Sequence, residues 1–333
     1  MRRSLSSGVP FLPLAVALSA RLAAQGGAAP TTLNSGALFL LFPVGAEAVG
    51  LGQTAVSLDG HGEAAFWNPA GLATMGTAEF GLHTANLAAG NTNALTAFFP
   101  KRGIGVIGGA VYLVDYGDQD VNDSSGLTLA RIAPRNVEFL ASFATEFTHS
   151  FAFGVTYKLV QFRVDCSGDC RNLPAGGGTT HAIDAGAHFT VGANDALKIG
   201  VAVRNIGFKL QVNNRDQADP LPARLVVGGI YQVNLRPLAE GDTHHFDVKV
   251  AADLDSPWGE VGNPDMRLGL DVGYEQLLRL RGGYAFAREG LRGPSVGVGV
   301  HTGSIGVDFA RPFLQGSDLV VPNPTFVSFR VDF

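Results

Sequence analysis

The sequence predicts an all-β protein: an antiparallel transmembrane β-barrel of the outer-membrane type, with about fourteen strands and an N-terminal hatch, or plug, in its lumen. Three observations predict this fold. Apolar and polar residues alternate in many segments from residue 78 onward, which is the pattern of strands with one apolar face. These segments have the length that a tilted strand needs to cross a bilayer, and short and long connections alternate between them.

Composition agrees with this class and disfavours others. Only 16% of the 333 residues are charged and the mean hydropathy is +0.18. No run of about 18 apolar residues follows the first thirty positions, so a helical membrane protein is disfavoured. The net charge of -5 offers no basic patch, and we expect no nucleic-acid partner.

The N-terminus has the layout of an export signal. Arg2 and Arg3 precede the short apolar stretch 11–20, and small residues near Ala23 offer a cleavage site. We therefore predict a signal peptide over residues 1–25 and a location in the outer membrane of a Gram-negative cell. A buried N-terminal helix is the alternative to this interpretation.

The alternation of apolar and polar residues is clearest at the C-terminus. In TFVSFRVDF the apolar residues occupy every second position: Val327, Phe329, Val331 and Phe333. The same period of two predicts fourteen strands, over residues 78–88, 92–100, 103–115, 136–148, 151–163, 180–192, 196–208, 222–236, 243–255, 264–275, 276–286, 293–302, 303–311 and 325–333. The barrel therefore covers residues 78–333, after an N-terminal extension and hatch over 26–77.

The polar faces of these strands decide what the barrel encloses. Residues such as Asp253, Asp271 and Arg281 are too costly against lipid, so they must face a wet or protein-filled lumen. A soluble exported β-sandwich, acting as a binding module, is an alternative because its strands alternate too. Its strands would be shorter, at about 5 to 6 residues, which favours the barrel.

The two cysteines lie close together in DCSGDC. In an exported protein, Cys166 and Cys170 are expected to form a local disulfide. A metal site would need further cysteine or histidine ligands nearby, so none is predicted.

The stretch GIGVIGG (103–109) contains a formal dinucleotide-binding pattern, G-x-G-x-x-G. Such a site needs a helix directly after it, whereas AVYLVDYG continues as a strand. Its glycines are instead expected to allow a bend or a close approach of the plug. We predict no cofactor and no enzymatic activity, although a serine–histidine pair in the lumen or at the rim stays open.

Residues 35–77 do not alternate and are rich in small residues. The run from Gly45 through Asp59 to Ala73 resembles the start of exported barrels of the FadL type and, within them, the PorV/PorQ group. The resemblance is dense over about thirty residues and implies a hatch inside the barrel. It implies three sets of hatch residues: the motif Trp67, Asn68, Pro69, Ala70, Gly71 and Leu72; the glycines Gly45, Gly50 and Gly52; and the acidic Asp59 and Glu63.

The resemblance also implies function. PorV/PorQ relatives serve type IX protein secretion and bind the translocon or secreted cargo, and this is our main expectation. The alternative is a FadL-like transporter that admits hydrophobic small molecules, such as long-chain fatty acids, through a hatch-gated lumen. We expect a monomeric barrel in outer-membrane lipid, with Phe329, Val331 and Phe333 as the signal for the barrel-assembly machinery.

Overall fold

The computed structural model describes residues 35–123, 125–171, 176–192, 194–211, 218–235, 245–260, 262–275, 277–287, 292–313 and 323–333. The predicted signal peptide and the start of the N-terminal extension lie outside the described residues. Within these ranges, no helix combines the length and the apolar character needed to cross a membrane.

The described residues form fifteen strands in one antiparallel sheet. They are β1 (Glu79–Leu87), β2 (Gly90–Lys101), β3 (Gly105–Asp115), β4 (Gln119–Asn122), β5 (Thr128–Thr148), β6 (Phe151–Gly168), β7 (Gly176–Val191), β8 (Leu197–Gly207), β9 (Arg224–Leu235), β10 (Phe246–Pro257), β11 (Asp265–Tyr274), β12 (Leu278–Phe286), β13 (Gly293–Thr302), β14 (Ile305–Pro312) and β15 (Thr325–Asp332). Neighbours in sequence pair with each other except β3 and β4, β1 pairs with β15, and β3 pairs with β5. These pairings close a barrel of fourteen strands, and β4 adds a short piece to the edge of β5.

The predicted strand count is confirmed, but three strands are longer than predicted. β5, β6 and β7 have 21, 18 and 16 residues, and they begin or end well beyond the predicted 136–148, 151–163 and 180–192. β4 lies where the sequence predicted only a connection. These extensions pair with one another, as Ala130 with Gly168 and Val164 with Gly176. They gain their stability from ladder hydrogen bonds, and they lack the apolar alternation on which the prediction rested.

The two faces of the wall divide as predicted. Outward-facing apolar side chains are exposed, for example Leu95 at 60% and Val250 at 53%, whereas Asp253 and Asp271 point into the lumen and are 2% and 1% exposed. The apolar outer face is the surface that a membrane barrel presents to lipid. Inside, polar groups must find partners in the protein.

The C-terminal strand closes the barrel against β1. Phe329 and Phe333 face outward at 41% and 61% exposure, while Arg330 is buried in the lumen. The ring of Phe333 stacks on Phe80, with 5.3 Å between the centroids. The last strand is therefore apolar outside and charged inside.

The two rims of the barrel differ. One rim carries the tight turns, such as 102–104, 149–150 and 303–304, and we call it the short-turn rim. The other carries longer connections, such as 208–223 and 258–264, and we call it the long-connection rim. These names locate the lumen clusters described below.

Residues 35–77, which we call the plug segment, pack against the inner face of the wall. The segment consists of one helical turn, α1 (Ala46–Gly50), and three 3-10 turns over Leu38–Leu41, Gly62–Phe66 and Pro69–Thr74. Its apolar residues are buried together with inward-facing wall residues such as Tyr112 and Phe98. The main hydrophobic core of the described chain thus lies between the plug segment and the wall.

Candidate functional site

The WNPAGL motif forms a capped 3-10 turn. Asn68 is extended (φ -152°), and its side-chain oxygen accepts a hydrogen bond from the backbone N–H of Ala70 at 3.1 Å. Pro69 occupies the first position of the turn, where its fixed φ costs nothing. The sequence folds this way because Asn is a strong cap and Pro a strong first residue.

The same asparagine joins the plug segment to the wall. The Nδ2 of Asn68 donates to the carbonyl oxygen of Val56 at 2.7 Å, and it lies 3.3 Å and 3.4 Å from the carbonyls of Ala187 and Val201. Asn68 is completely buried. One amide therefore caps a turn, ties two parts of the plug segment together, and contacts β7 and β8.

Glycines in the wall let the plug backbone approach. A Cβ on any of five inward-facing glycines would overlap plug atoms: Gly154, Gly186, Gly200, Gly269 and Gly283. The predicted close approach at 103–109 is wrong in location, because Cβ atoms at Gly108 and Gly109 would meet the neighbouring strands β2 and β5 instead. Wall glycines on β6, β7, β8, β11 and β12 serve that purpose.

The predicted hatch glycines also have structural reasons. Gly45 and Gly52 adopt positive φ, +94° and +69°, which L side chains rarely adopt. A Cβ at Gly45 would overlap the carboxyl of Glu63, and one at Gly50 would lie 3.2 Å from the Cα of Gly297.

Glu47 anchors the plug segment to two wall arginines. Its carboxylate lies 3.2 Å from Nη2 of Arg281 and 3.3 Å from Nη1 of Arg330. Arg281 also pairs with Asp271 at 2.8 Å and with Asp308, and Arg330 pairs with Asp308 at 3.1 Å. We call this set the Glu47 cluster; it lies toward the short-turn rim. Glu47 was not among the predicted hatch residues.

Burial and neighbouring charge oppose each other in setting the pKa of Glu47, whereas the two largest influences on the pKa of Glu63 act in the same direction. Burial raises the pKa of Glu47, but the charges of Arg281, His61 and Arg330 outweigh it and hold that pKa well below 4.5. Burial, and after it the charge of Glu47, raises the pKa of Glu63 from 4.5 to about 8. Glu63 is therefore neutral at pH 7.

Other carboxylates cap free backbone groups of the plug segment. Asp253 accepts hydrogen bonds from the N–H groups of Ala55 and Val56 at 2.7 Å and 3.0 Å. Glu79 accepts one from Gly62 at 2.8 Å. The irregular backbone of the segment is satisfied by wall side chains, as a buried chain without regular structure requires.

The predicted hatch residue Asp59 lies at the edge of the plug segment. Its carboxylate pairs with Lys198 of β8 and accepts a hydrogen bond from Thr74 at 3.3 Å. His61 lies 3.5 Å from Glu79 and 4.0 Å from Glu47. His61 thus reaches one carboxylate of the wall and one of the plug segment.

A second cluster of buried charge lies toward the long-connection rim. Nζ of Lys158 lies 2.8 Å from Asp184 and 3.2 Å from Glu138. The guanidinium of Arg204 lies over the ring of Trp67, 5.2 Å from its centroid. Trp67 in turn donates from Nε1 to the carbonyl of Val44 at 2.8 Å. We call this the Arg204 cluster.

A small cavity of about 10 Å³, the space of one water-sized group, lies between the plug segment and the Arg204 cluster. Its apolar lining comes from six side chains: Leu40, Phe42, Val44, Phe66, Trp67 and Tyr112. Glu138, Lys158 and Arg204 form its polar side. We call it the aromatic cavity.

One serine–histidine pair is present, but its geometry does not suit catalysis. Nδ1 of His83 lies 2.9 Å from Oγ of Ser328 and 3.8 Å from the Glu63 carboxyl. A catalytic relay needs the serine and the acid on different ring nitrogens. Ser328 instead accepts a hydrogen bond from the N–H of Ala46 at 2.8 Å, so it fastens the plug segment.

The predicted cysteine pair lies outside the lumen site. Cys166 and Cys170 are joined by a disulfide at the end of β6, in the region beyond the predicted strand 151–163.

No protein-family model and no curated protein matches the chain. Solved structures do match in fold. The toluene transporter TbuX of Ralstonia pickettii is 15% identical with a TM-score of 0.52, and the match covers 87% of this chain and 98% of that one. A FadL homologue of Pseudomonas aeruginosa is 12% identical with a TM-score of 0.54, and the match covers 88% of this chain and 99% of that one. The toluene transporter TodX of P. putida is 12% identical with a TM-score of 0.57, and the match covers 87% of this chain and 98% of that one. This chain therefore has the fold of FadL-like outer-membrane barrels.

Proposed function

We propose that the protein is an outer-membrane channel for small hydrophobic molecules, in which the plug segment gates the lumen. The observation that carries the proposal is the aromatic cavity. Its lining comes from both the plug segment and the wall, so a molecule bound there would change the contacts that hold the two together. The alternative expectation from sequence, a FadL-like transporter, is therefore favoured over a role in secretion.

The fold of the similar structures supports the same proposal. TbuX and TodX are described as toluene transporters, and they share the closed barrel over nearly their whole length. The outer face adds a second feature. Ala97 and Gly109, paired across β2 and β3, line an open apolar hollow of about 670 Å³. An apolar molecule that passes the plug segment could leave through this side of the wall.

Uptake in whole cells tests the proposal directly. A bacterial host that lacks barrels of this type would be loaded with labelled toluene, with and without the protein in its outer membrane. We expect faster uptake when the protein is present. Equal uptake rates, with folded protein demonstrated in the membrane, would contradict the proposal.

A tethered plug segment tests the gating step. Ala46→Cys with Ser328→Cys places thiols on two neighbouring residues, since the backbone N–H of Ala46 and the hydroxyl of Ser328 lie 2.8 Å apart. We expect the oxidised double variant to lose toluene uptake and reduction to restore it. Each single variant is the matched control, because it carries one of the two substitutions and cannot form the tether.

The exit side can be tested on the outer face. Ala97→Leu fills the apolar hollow and is expected to slow toluene uptake. Gly282→Leu is the control, since it adds the same side chain to β12, where a Cβ meets nothing within 4 Å. If both variants take up toluene at the same rate, the hollow is not on the path.

A second candidate function is protein binding in type IX-like secretion, which was our main expectation from the sequence. The ends of β5, β6 and β7 that extend beyond the predicted strands favour this role. There Leu127 and Leu129 are exposed at 65% and 46%, close to the free edge strand β4. Affinity purification from detergent, followed by mass spectrometry, tests this role. Recovery of a translocon or of secreted cargo would favour secretion over uptake.

A further inference from the structure

Arg204 has an unusual environment for a buried arginine. Its side chain is 7% exposed, and in the described part of the chain it forms neither a hydrogen bond nor an ion pair. Its one strong contact is the ring of Trp67. A guanidinium carries five N–H donors, and buried donors are nearly always bonded. Nε of Arg204 is enclosed without an acceptor.

The nearby carboxylates are already engaged. Asp184 accepts a hydrogen bond from the N–H of Asn205 at 2.6 Å and lies 2.8 Å from Lys158. Asp255, at the end of β10, lies 2.7 Å from Arg224 and 2.8 Å from Arg267. The wall thus supplies acceptors to the other cations of this region and leaves Arg204 facing the aromatic cavity.

The cations of this region are already matched by carboxylates. Among the described residues, Lys158, Arg204, Arg224 and Arg267 lie near five acids: Glu138, Asp184, Asp253, Asp255 and Asp265. An anion bound at Arg204 would add an uncompensated charge in a place with little water, which is costly. A neutral acceptor would satisfy Arg204 without that cost.

The space beside Arg204 is small. The aromatic cavity has room for about one water-sized group, so an aromatic guest enters only when the plug segment shifts. Apart from the paired Glu138 and Lys158, the rest of the lining is apolar and largely aromatic, with Phe42, Phe66, Trp67 and Tyr112 around it.

We propose that the aromatic cavity selects neutral, oxygen-bearing aromatic molecules: Arg204 donates a hydrogen bond to their hydroxyl or carbonyl oxygen, and the aromatic side chains pack against their ring. The ring enters as Leu40 and Phe42 shift with the plug segment. This inference rests on the proposed function and names the substrate class of the same site. It distinguishes such molecules from plain hydrocarbons and from carboxylates.

Three seven-carbon probes test the proposal: toluene, benzyl alcohol and benzoate. The protein has two tryptophans, and Trp258→Phe leaves Trp67, in contact with the cavity, as the sole tryptophan, which can be excited selectively at the red edge of the absorption band. Titrating each probe into this variant in detergent gives a dissociation constant from the Trp67 emission. We expect benzyl alcohol to bind about tenfold more tightly than toluene, the value of one satisfied hydrogen bond, and benzoate to bind more weakly than benzyl alcohol.

Arg204→Leu assigns the preference to its donor. In this variant we expect benzyl alcohol and toluene to bind with the same affinity. Arg131→Leu, which removes an arginine of an exposed pair with Asp120, is the control and should keep the preference. If Arg204→Leu does not fold, the order of affinities of the three probes for the Trp258→Phe protein still tests the proposal.

The outcomes separate the inference from the proposed function. Equal binding of toluene and benzyl alcohol, or tightest binding of benzoate, would overturn the inference while toluene uptake upholds the channel. Absence of binding by all three probes, together with absence of toluene uptake, would overturn both.

Discussion

The Glu47 cluster and the Arg204 cluster are both buried in the lumen, yet they differ in how their arginines are paired. Arg281 contacts three carboxylates, Glu47, Asp271 and Asp308, whereas Arg204 contacts none in the described residues. The difference comes from the plug segment. The segment contributes the carboxylate of Glu47 to the cluster near the short-turn rim, and it contributes the ring of Trp67 to the cluster near the long-connection rim.

This difference gives the two clusters different roles: one holds the plug segment in place, and the other can bind a guest molecule. A paired arginine is costly to separate from its partners, so the Glu47 cluster fixes the plug segment in place. An arginine with free donors beside a cavity can accept a guest without breaking an existing pair. The plug segment is thus tightly held toward the short-turn rim and less tightly held toward the long-connection rim.

The largest effect is expected from Glu47→Gln. Removing one partner of a buried ion pair leaves Arg281 and Arg330 undercompensated and costs about 3–5 kcal/mol. The thermal midpoint of the barrel in detergent should fall, and protease should cut the plug segment faster. Asp169→Asn is the control: it breaks a pair with Arg171 on the exposed rim and should change neither measurement. An unchanged midpoint for Glu47→Gln would mean that the plug segment is held elsewhere.

A pH dependence is expected next, from Glu63. Its pKa is about 8 in the folded protein against an ordinary 4.5, so the folded state keeps a proton that the unfolded chain releases. Stability from this group is full below pH 4.5 and declines as pH rises, until the group ionises in the folded state near pH 8. The loss should be a few kcal/mol, since one pKa unit corresponds to about 1.4 kcal/mol.

Glu63→Gln isolates this contribution, because glutamine stays neutral at every pH. The thermal midpoint of the wild type, minus that of the variant, should fall between pH 5 and pH 8 as predicted from the two pKa values. A difference that does not change with pH would show that Glu63 is ionised in the folded protein.

A smaller effect is expected from Gly283→Ala. A Cβ at Gly283 would overlap the backbone of Gly52, which cannot move as a flexible side chain can. Overpacking of this kind costs about 1–3 kcal/mol. Gly282→Ala, one residue earlier on β12, is the matched control because its Cβ meets nothing within 4 Å. Equal thermal midpoints for the two variants would mean that the plug segment does not press on this strand.

The wall was largely predictable from the sequence because its signal is local. Alternation places Val250 outside and Asp253 inside without knowledge of any partner strand. The turn at Asn68 was predictable for the same reason, since its cap and its proline act within three residues. The tall ends of β5 to β7 were not, because there the side chains no longer alternate and only the pairing holds the strands.

The clusters could not be predicted, because their members are far apart in sequence. Glu47 meets Arg330 across 283 positions, and within the sequence it is one acid in a run of small residues. Arg204 resembles any other lumen-facing arginine until the partners of Asp184 and Asp255 are known. Unsatisfied donors are a property of the packed structure, and no sequence pattern signals them.

The smallest effect tests the less tightly held side of the plug segment. Trp67→Phe removes the hydrogen bond to Val44 and weakens the contact with Arg204, and it should cost about 1–2 kcal/mol. Trp258→Phe is the control, since Trp258 is 54% exposed and should lower the thermal midpoint little. If Trp67→Phe costs as much as Glu47→Gln, the two sides hold the plug segment equally. The contrast between an anchoring cluster and a recognition cluster would then fail.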